Sequence, residues 1–207
     1  MRRCGNADFA HYWAIAAMPS RPSAQRPTQK APARTPRGFP KVLISRARLQ
    51  RRLRALAAEI EANHPRGERL TVVLLLDGAL FFAADLLRHL KLDLEIITLR
   101  ASSYHGARKS SGLVKLDWPR GLSLRGRQVL LLDDILDTGL TLSAVRARLS
   151  RQRPASLRLA VLLAKRRHRE AEVAVDYCGF EIPDVFVVGY GMDDNGLHRQ
   201  WPLIAQP

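Results

Sequence analysis

The chain reads as an α/β protein, with a mainly parallel sheet covered by helices, on three observations. Unbroken apolar runs of strand length recur along it, helical apolar spacing fills the intervals, and the polar clusters fall at the carboxyl ends of the runs. Strands buried on both faces lose the alternating pattern and become continuous Val/Ile/Leu runs. Strands of that kind alternating with helices mark a parallel sheet.

Folded sequence begins near Val42. Ser45 is a good N-cap for a helix carrying Leu49, Leu53, Leu56 and Ile60 on one face and Arg side chains on the other; Asn63-His64-Pro65 stops it. LTVVLLL (70–76) is the first buried strand and ends at Asp77-Gly78, ahead of a helix over 79–90. DLEIITL (93–99) is the second, and the polar, Gly-containing stretch 100–112 after it reads as a long loop. GRQVLLLDD (126–134) is the third; a turn at Asp137-Thr138-Gly139 leads from it into a helix reaching about Gln152. SLRLAVLLAK (156–165) and VFVVGY (185–190) are read as the fourth and fifth strands, and no internal repeat is visible. In open sheets of this type ligands bind outside the carboxyl ends of the strands.

Charge is the unusual feature. The 34 Lys and Arg against 19 Asp and Glu give a net +15, of which +6 lies in residues 1–40 and +9 over the rest. A basic chain meets either a polyanion such as nucleic acid or a small anionic substrate. Because most of the remaining charge lies on helix-like segments, the small substrate is favoured. Residues 19–40, rich in Pro, Arg, Ser and Ala, bury too little surface to offset ordering, and 1–40 is expected to be a disordered extension to a domain over 41–207. Met18 offers an alternative start within it. The apolar run Phe9–Met18 contains His11 and Tyr12 and is too short to span a membrane. Cys4 and Cys178 are far apart without metal-ligand spacing, as expected of free thiols in a reducing cytoplasm.

The richest string is Val129-Leu-Leu-Leu-Asp133-Asp134-Ile-Leu-Asp137-Thr138-Gly139-Leu140-Thr141. A buried strand delivers two carboxylates to its tip, and a Gly-containing, hydroxyl-rich turn then opens a helix. Backbone N–H groups in such a turn, backed by the helix N-terminus, suit a phosphate. The carboxylates would repel that phosphate, but they can hold the hydroxyls of an attached ribose, or an intervening Mg²⁺. Neither a Gly-x-Gly-x-x-Gly turn nor a Gly-Lys-Ser/Thr loop is present, which argues against dinucleotide-dependent dehydrogenases and P-loop enzymes.

This string resembles the signature of the phosphoribosyltransferase family. Asp137 ahead of Thr-Gly points to its 6-oxopurine branch, the hypoxanthine-guanine phosphoribosyltransferases. The resemblance runs from about residue 42 to 204 and includes GFEIPDVFVVGYGMDDNGLHR (179–199). It implies a type I phosphoribosyltransferase fold with a small hood from the terminal segments. It also implies transfer of phosphoribose from phosphoribosyl pyrophosphate to hypoxanthine or guanine, Mg²⁺ dependence, and a homodimer or homotetramer.

Site roles follow from the same resemblance. Asp133 and Asp134 would hold the ribose hydroxyls and, through them, Mg²⁺. Asp137, Thr138, Gly139, Leu140 and Thr141 would cradle the 5′-phosphate, with Asp137 also the general acid/base at the purine imidazole. Lys165 would donate to the 6-oxo group, Phe186 would stack on the base, and the Val187 backbone would read its far edge. Asp193 would bind a metal ion on the pyrophosphate side, and Arg199 would contact pyrophosphate. Ser103-Tyr104 resembles a mobile loop that closes over the site. At Leu76-Asp77-Gly78-Ala79 the family often has Leu-Lys-Gly-Gly or Leu-Lys-Gly-Ser: Gly78 keeps the backbone that meets pyrophosphate, whereas Asp77 puts an acid beside a polyanion. At an effective dielectric of about 20, two unit charges ~6 Å apart repel by roughly 3 kcal/mol before screening. A regulator that binds nucleic acid, built on the same fold, is the alternative reading.

Overall fold

The computed structural model describes residues 40–103 and 114–207. Apart from Pro40, the expected extension lies outside the described residues, as do Tyr104 and most of the expected loop. In chain order the elements are β1 (Lys41–Ile44), α1 (Arg46–Ala62), β2 (Leu70–Leu76), α2 (Leu80–Leu87), β3 (Leu94–Ser103), β4 (Val114–Leu116), β5 (Gln128–Leu136), α3 (Leu140–Ser150), β6 (Ser156–Arg166), β7 (Tyr177–Pro183) and β8 (Ile204–Gln206).

The main sheet has the order β4-β3-β2-β5-β6-β7. Its five strands from β3 to β7 are parallel, and β4 adds antiparallel to β3. After β2 the chain moves outward to β3, then crosses back to place β5 on the other side of β2. The strand order therefore reverses between β2 and β5, where such folds form their ligand crevice. The two ends of the described chain meet in the antiparallel pair β1–β8, which gives the hood its strands.

The continuous apolar runs have the expected cause. Successive residues of a strand point to opposite faces, and here both faces are covered. Val72, Leu74, Leu130 and Leu132 join the core under α1 and α2, where Leu49, Leu53, Leu56, Phe82 and Leu86 are buried. The intervening Val73, Leu75, Val129 and Leu131 join the opposite core under α3, with Leu142, Val145 and Leu149. Ser45 caps α1 by accepting the Arg48 N–H at 3.4 Å. The Arg52 guanidinium ties α1 to the sheet edge, donating to the carbonyls of Cys178 and Gly179 at 2.7 and 2.9 Å.

Two expectations need correction. The fifth parallel strand is Tyr177–Pro183, whereas 185–190 is an irregular segment carrying isolated bridges at Val188 and Gly189. Apolar pattern alone could not separate them, because Val187 and Val188 are buried against the hood rather than paired in the sheet. Residues 100–103, expected to open the loop, instead lengthen β3, with Ala101 to Ser103 paired to β4. Among the described residues no helix is long and apolar enough to cross a membrane.

Candidate active site

Register brings the polar residues together. Leu136 of β5 pairs with Ala164 of β6, so the next residues, Asp137 and Lys165, emerge side by side at the carboxyl edge. Lys165 Nζ lies 2.9 Å from Asp137 Oδ2 and 3.5 Å from Asp184 Oδ1. Arg167 Nη1 takes the other oxygen of the same carboxylate, Asp137 Oδ1, also at 2.9 Å, and lies 3.7 Å from Asp184. Two acids and two cations thus alternate, with Lys165 the most enclosed at 11% side-chain exposure. Arg167 and Asp184 were not singled out from sequence. Arg167 sits inside the basic run 165–169, and Asp184 in a turn without pattern, so only their spatial meeting marks them.

Gly139 starts α3 with φ 85° and has no side chain to cap it; the Leu140 N–H reaches Thr138 Oγ1 only at 3.5 Å. The left-handed backbone suits glycine, and contact demands it too. A Cβ there would lie 2.1 Å from the Ala171 carbonyl oxygen. Segment 170–171 is held in that position because both its N–H groups donate to the Thr138 carbonyl, at 3.0 and 3.1 Å. Leu140 and Thr141 occupy the first turn of α3 and are partly buried.

Asp133 and Asp134 stand at the end of β5. The Asp134 N–H donates to Asp133 Oδ1 at 3.0 Å, and the Ile135 N–H to Asp134 Oδ1 at 2.9 Å. Burial first, and then the neighbouring Asp134 charge, push the Asp133 carboxyl well above the usual carboxylate range. Burial raises Asp134 as well, with hydrogen bonds and the Arg199 charge opposing. The turn after β2 closes directly on this pair. A Cβ on Gly78 would lie 1.9 Å from Asp134 Oδ2, so any other residue there would displace the Asp134 carboxyl. The Leu76–Asp77 peptide bond in this turn is cis.

The side chain of Asp77 does not stand alone. Its Oδ1 lies 3.1 Å from Arg100 Nη2 at the carboxyl end of β3, so the acid expected to face an incoming anion is already paired. Arg199 Nη2 lies 2.7 Å from Asp193 Oδ1, and Arg199 also donates to the Gly191 carbonyl at 2.5 Å. The segment bearing them is pinned by Tyr190, whose hydroxyl donates to Asp85 Oδ2 at 2.6 Å while Gln50 donates to the same oxygen at 2.7 Å. Burial and the Asp85 carboxylate push the Tyr190 phenol up, keeping it a neutral donor.

Phe186 is 55% exposed, high for a phenylalanine in an apolar stretch, whereas Val187 beside it is buried. Ser103 ends β3, and Tyr104 lies outside the described residues.

Comparison with known proteins agrees with this geometry. The phosphoribosyl transferase domain family matches residues 45–195. A hypoxanthine-guanine phosphoribosyltransferase of Aquifex aeolicus is 39% identical over 164 residues, 79% of this chain and 92% of the relative. A hypoxanthine phosphoribosyltransferase of Haemophilus influenzae is 41% identical over 167 residues, 80% of this chain and 93% of the relative. Among solved structures, a hypoxanthine-guanine phosphoribosyltransferase of Bacillus anthracis aligns with TM-score 0.75 and 38% identity, covering 81% of this chain and 98% of that one. The chain belongs to the phosphoribosyltransferase family, in its hypoxanthine-guanine branch.

Proposed function

We propose that the protein transfers the 5-phosphoribosyl group from phosphoribosyl pyrophosphate to hypoxanthine or guanine, giving IMP or GMP and pyrophosphate in purine salvage. The observation that carries this reading is the Asp137–Lys165 pair, set across β5 and β6 beside an uncapped helix start. A 6-oxopurine presents a proton-bearing imidazole on one side and a carbonyl acceptor on another, and this pair answers both. The nucleic-acid-binding alternative finds no counterpart among the relatives compared above.

Asp137 accepts or shares the imidazole proton as the purine ring nitrogen attacks the anomeric carbon and the bond from that carbon to pyrophosphate breaks. For that, the carboxylate exchanges one of its two present cation contacts for the base, and Lys165 turns to the 6-oxo group. Phe186 has the exposed ring face on which a purine can stack. The first turn of α3, with Thr138, Gly139, Leu140 and Thr141, receives the 5′-phosphate, and Asp133 and Asp134 accept from the ribose hydroxyls. Arg199 faces the charge that develops on the leaving group. Ser103 and Tyr104 are proposed to help exclude water from the sugar cation.

Mg²⁺ is the proposed cofactor. Two adjacent carboxylates, both raised by burial and Asp133 further by the Asp134 charge, are hard oxygen donors suited to a divalent cation. Among the described residues no three His, Cys, Asp or Glu converge as a complete ligand set. Substrate oxygens and water would therefore fill most of the shell at Asp133 and Asp134, and likewise at Asp193. The ion supplies neutralisation of pyrophosphate. A cytoplasmic homodimer or homotetramer is proposed with this function; Leu80 and Phe81, adjacent and exposed on α2, offer apolar surface for a second copy.

The test is product formation from phosphoribosyl pyrophosphate with each purine, with Mg²⁺ and with a chelator. The reading expects IMP and GMP only when Mg²⁺ is present; no product from either base would overturn it.

A further inference from the structure

We propose that Arg100 is a pyrophosphate-binding residue and that Asp77 holds it ready. The proposal rests on the reading above, in which pyrophosphate lies against the turn after β2 and Arg199, and it adds a second cation to that side.

Placement comes first. Arg100 is the register partner of Leu76, so it leaves the sheet one strand over from the turn whose Gly78 touches Asp134. Its backbone is anchored on the other side as well: the Arg100 carbonyl accepts the Asp117 N–H at 3.1 Å, and the next residue, Ala101, pairs with Leu116 of β4. The side chain, by contrast, is 64% exposed. A fixed Cα with an accessible guanidinium is the condition for reaching a bound anion without moving the sheet.

Charge gives the second argument. An unpaired Asp77 would oppose a polyanion, yet its carboxylate lies 3.1 Å from Arg100 Nη2. That contact occupies one of the five N–H donors of a planar fork, leaving the others for phosphate oxygens, which the guanidinium matches in bidentate geometry. Both partners are more than half exposed, and such pairs add little to folding stability. What the pair does supply is order: a guanidinium already held in place gives up less rotamer freedom when an anion arrives. The positive charge beside the turn is thus moved from its side chain to the neighbouring strand.

Titration calorimetry with inorganic pyrophosphate and Mg²⁺, alongside steady-state kinetics, tests this on the full chain. Arg100→Gln should weaken pyrophosphate binding about 10- to 100-fold, the range of one charge-assisted hydrogen bond, and raise the KM for phosphoribosyl pyrophosphate similarly. Binding of GMP and the KM for the purine should stay unchanged. Asp77→Lys added to Arg100→Gln should recover most of the loss, because a cation returns to the turn itself. If Arg100→Gln leaves pyrophosphate affinity at the wild-type level, or the double variant recovers nothing, the assignment of Arg100 is wrong. A parallel loss of GMP binding would also overturn it, since Arg100 would then act through the fold. A wild-type protein that forms neither IMP nor GMP would instead remove the function on which the proposal rests.

Discussion

The two ends of the cleft are built differently. The proposed phosphate and ribose end comes from one continuous string: β5 delivers Asp133 and Asp134, the turn supplies Asp137 to Gly139, and α3 begins at once. The proposed pyrophosphate end is assembled from three distant segments, Asp77 and Gly78 after β2, Arg100 on β3, and Asp193 with Arg199 in the last fifteen residues. At the first end Asp133 and Asp134 crowd one another and accept only backbone N–H groups, whereas Asp137, like Asp77 and Asp193 at the second end, has a cation. A strand end can thus hold two crowded carboxyls in place by backbone N–H groups, whereas side chains brought from separate segments are kept in register by ion pairs.

Breaking the contiguous end should cost most. Asp137→Asn is expected to cut turnover by about 10²–10⁴-fold, the span of one general acid/base, while binding of phosphoribosyl pyrophosphate is kept. Turnover near wild type would remove Asp137 from the mechanism.

A smaller effect, opposite in sign for stability, is expected at Asp133. Its folded pKa is raised, so the folded state binds its proton more tightly than the unfolded chain does. Stability from this group is therefore fully present below the ordinary value of 3.8 and is lost as pH rises through the raised folded value. At neutral pH Asp133→Asn removes that penalty and should stabilise the fold by about 1 kcal/mol, at the expense of activity. The gain should shrink as pH falls toward 3.8, read by denaturant unfolding at several pH values. A variant less stable than wild type at pH 7 would mean that the ionised Asp133 is favourably held.

The same contrast explains what the sequence reveals. Strands β2, β5 and β6 and the placement of the contiguous end are legible because strand pattern and polar turn lie next to one another in the sequence there. Arg167 and Asp184 are not, since their meaning arises only when β6 and the segment after β7 meet around Asp137. Arg100 was hidden by an apparent loop that β4 turns into strand. The segment 185–190 misled because burial under a hood and burial in a sheet select the same apolar residues.

The least effect is expected from the segment outside both ends. Residues 1–40, whose Pro- and Arg-rich composition does not support packing, are proposed to be dispensable for catalysis. A chain beginning at Phe39 should keep wild-type turnover and Tm. A drop in either would mean that the segment docks on the domain or completes a subunit contact.

The central claim is that Asp137 and Lys165 together read a 6-oxopurine, and the ratio of kcat/KM for hypoxanthine to that for adenine tests it most directly. Lys165 facing a 6-amino group sets donor against donor and leaves one of them buried without an acceptor. Sites that hydrogen-bond a substrate group reject the wrong partner by about 10⁴-fold or more, and a preference for hypoxanthine of that order is the result expected here. Adenine converted to AMP with comparable efficiency would contradict the assignment of Lys165 and the account of the site built on it.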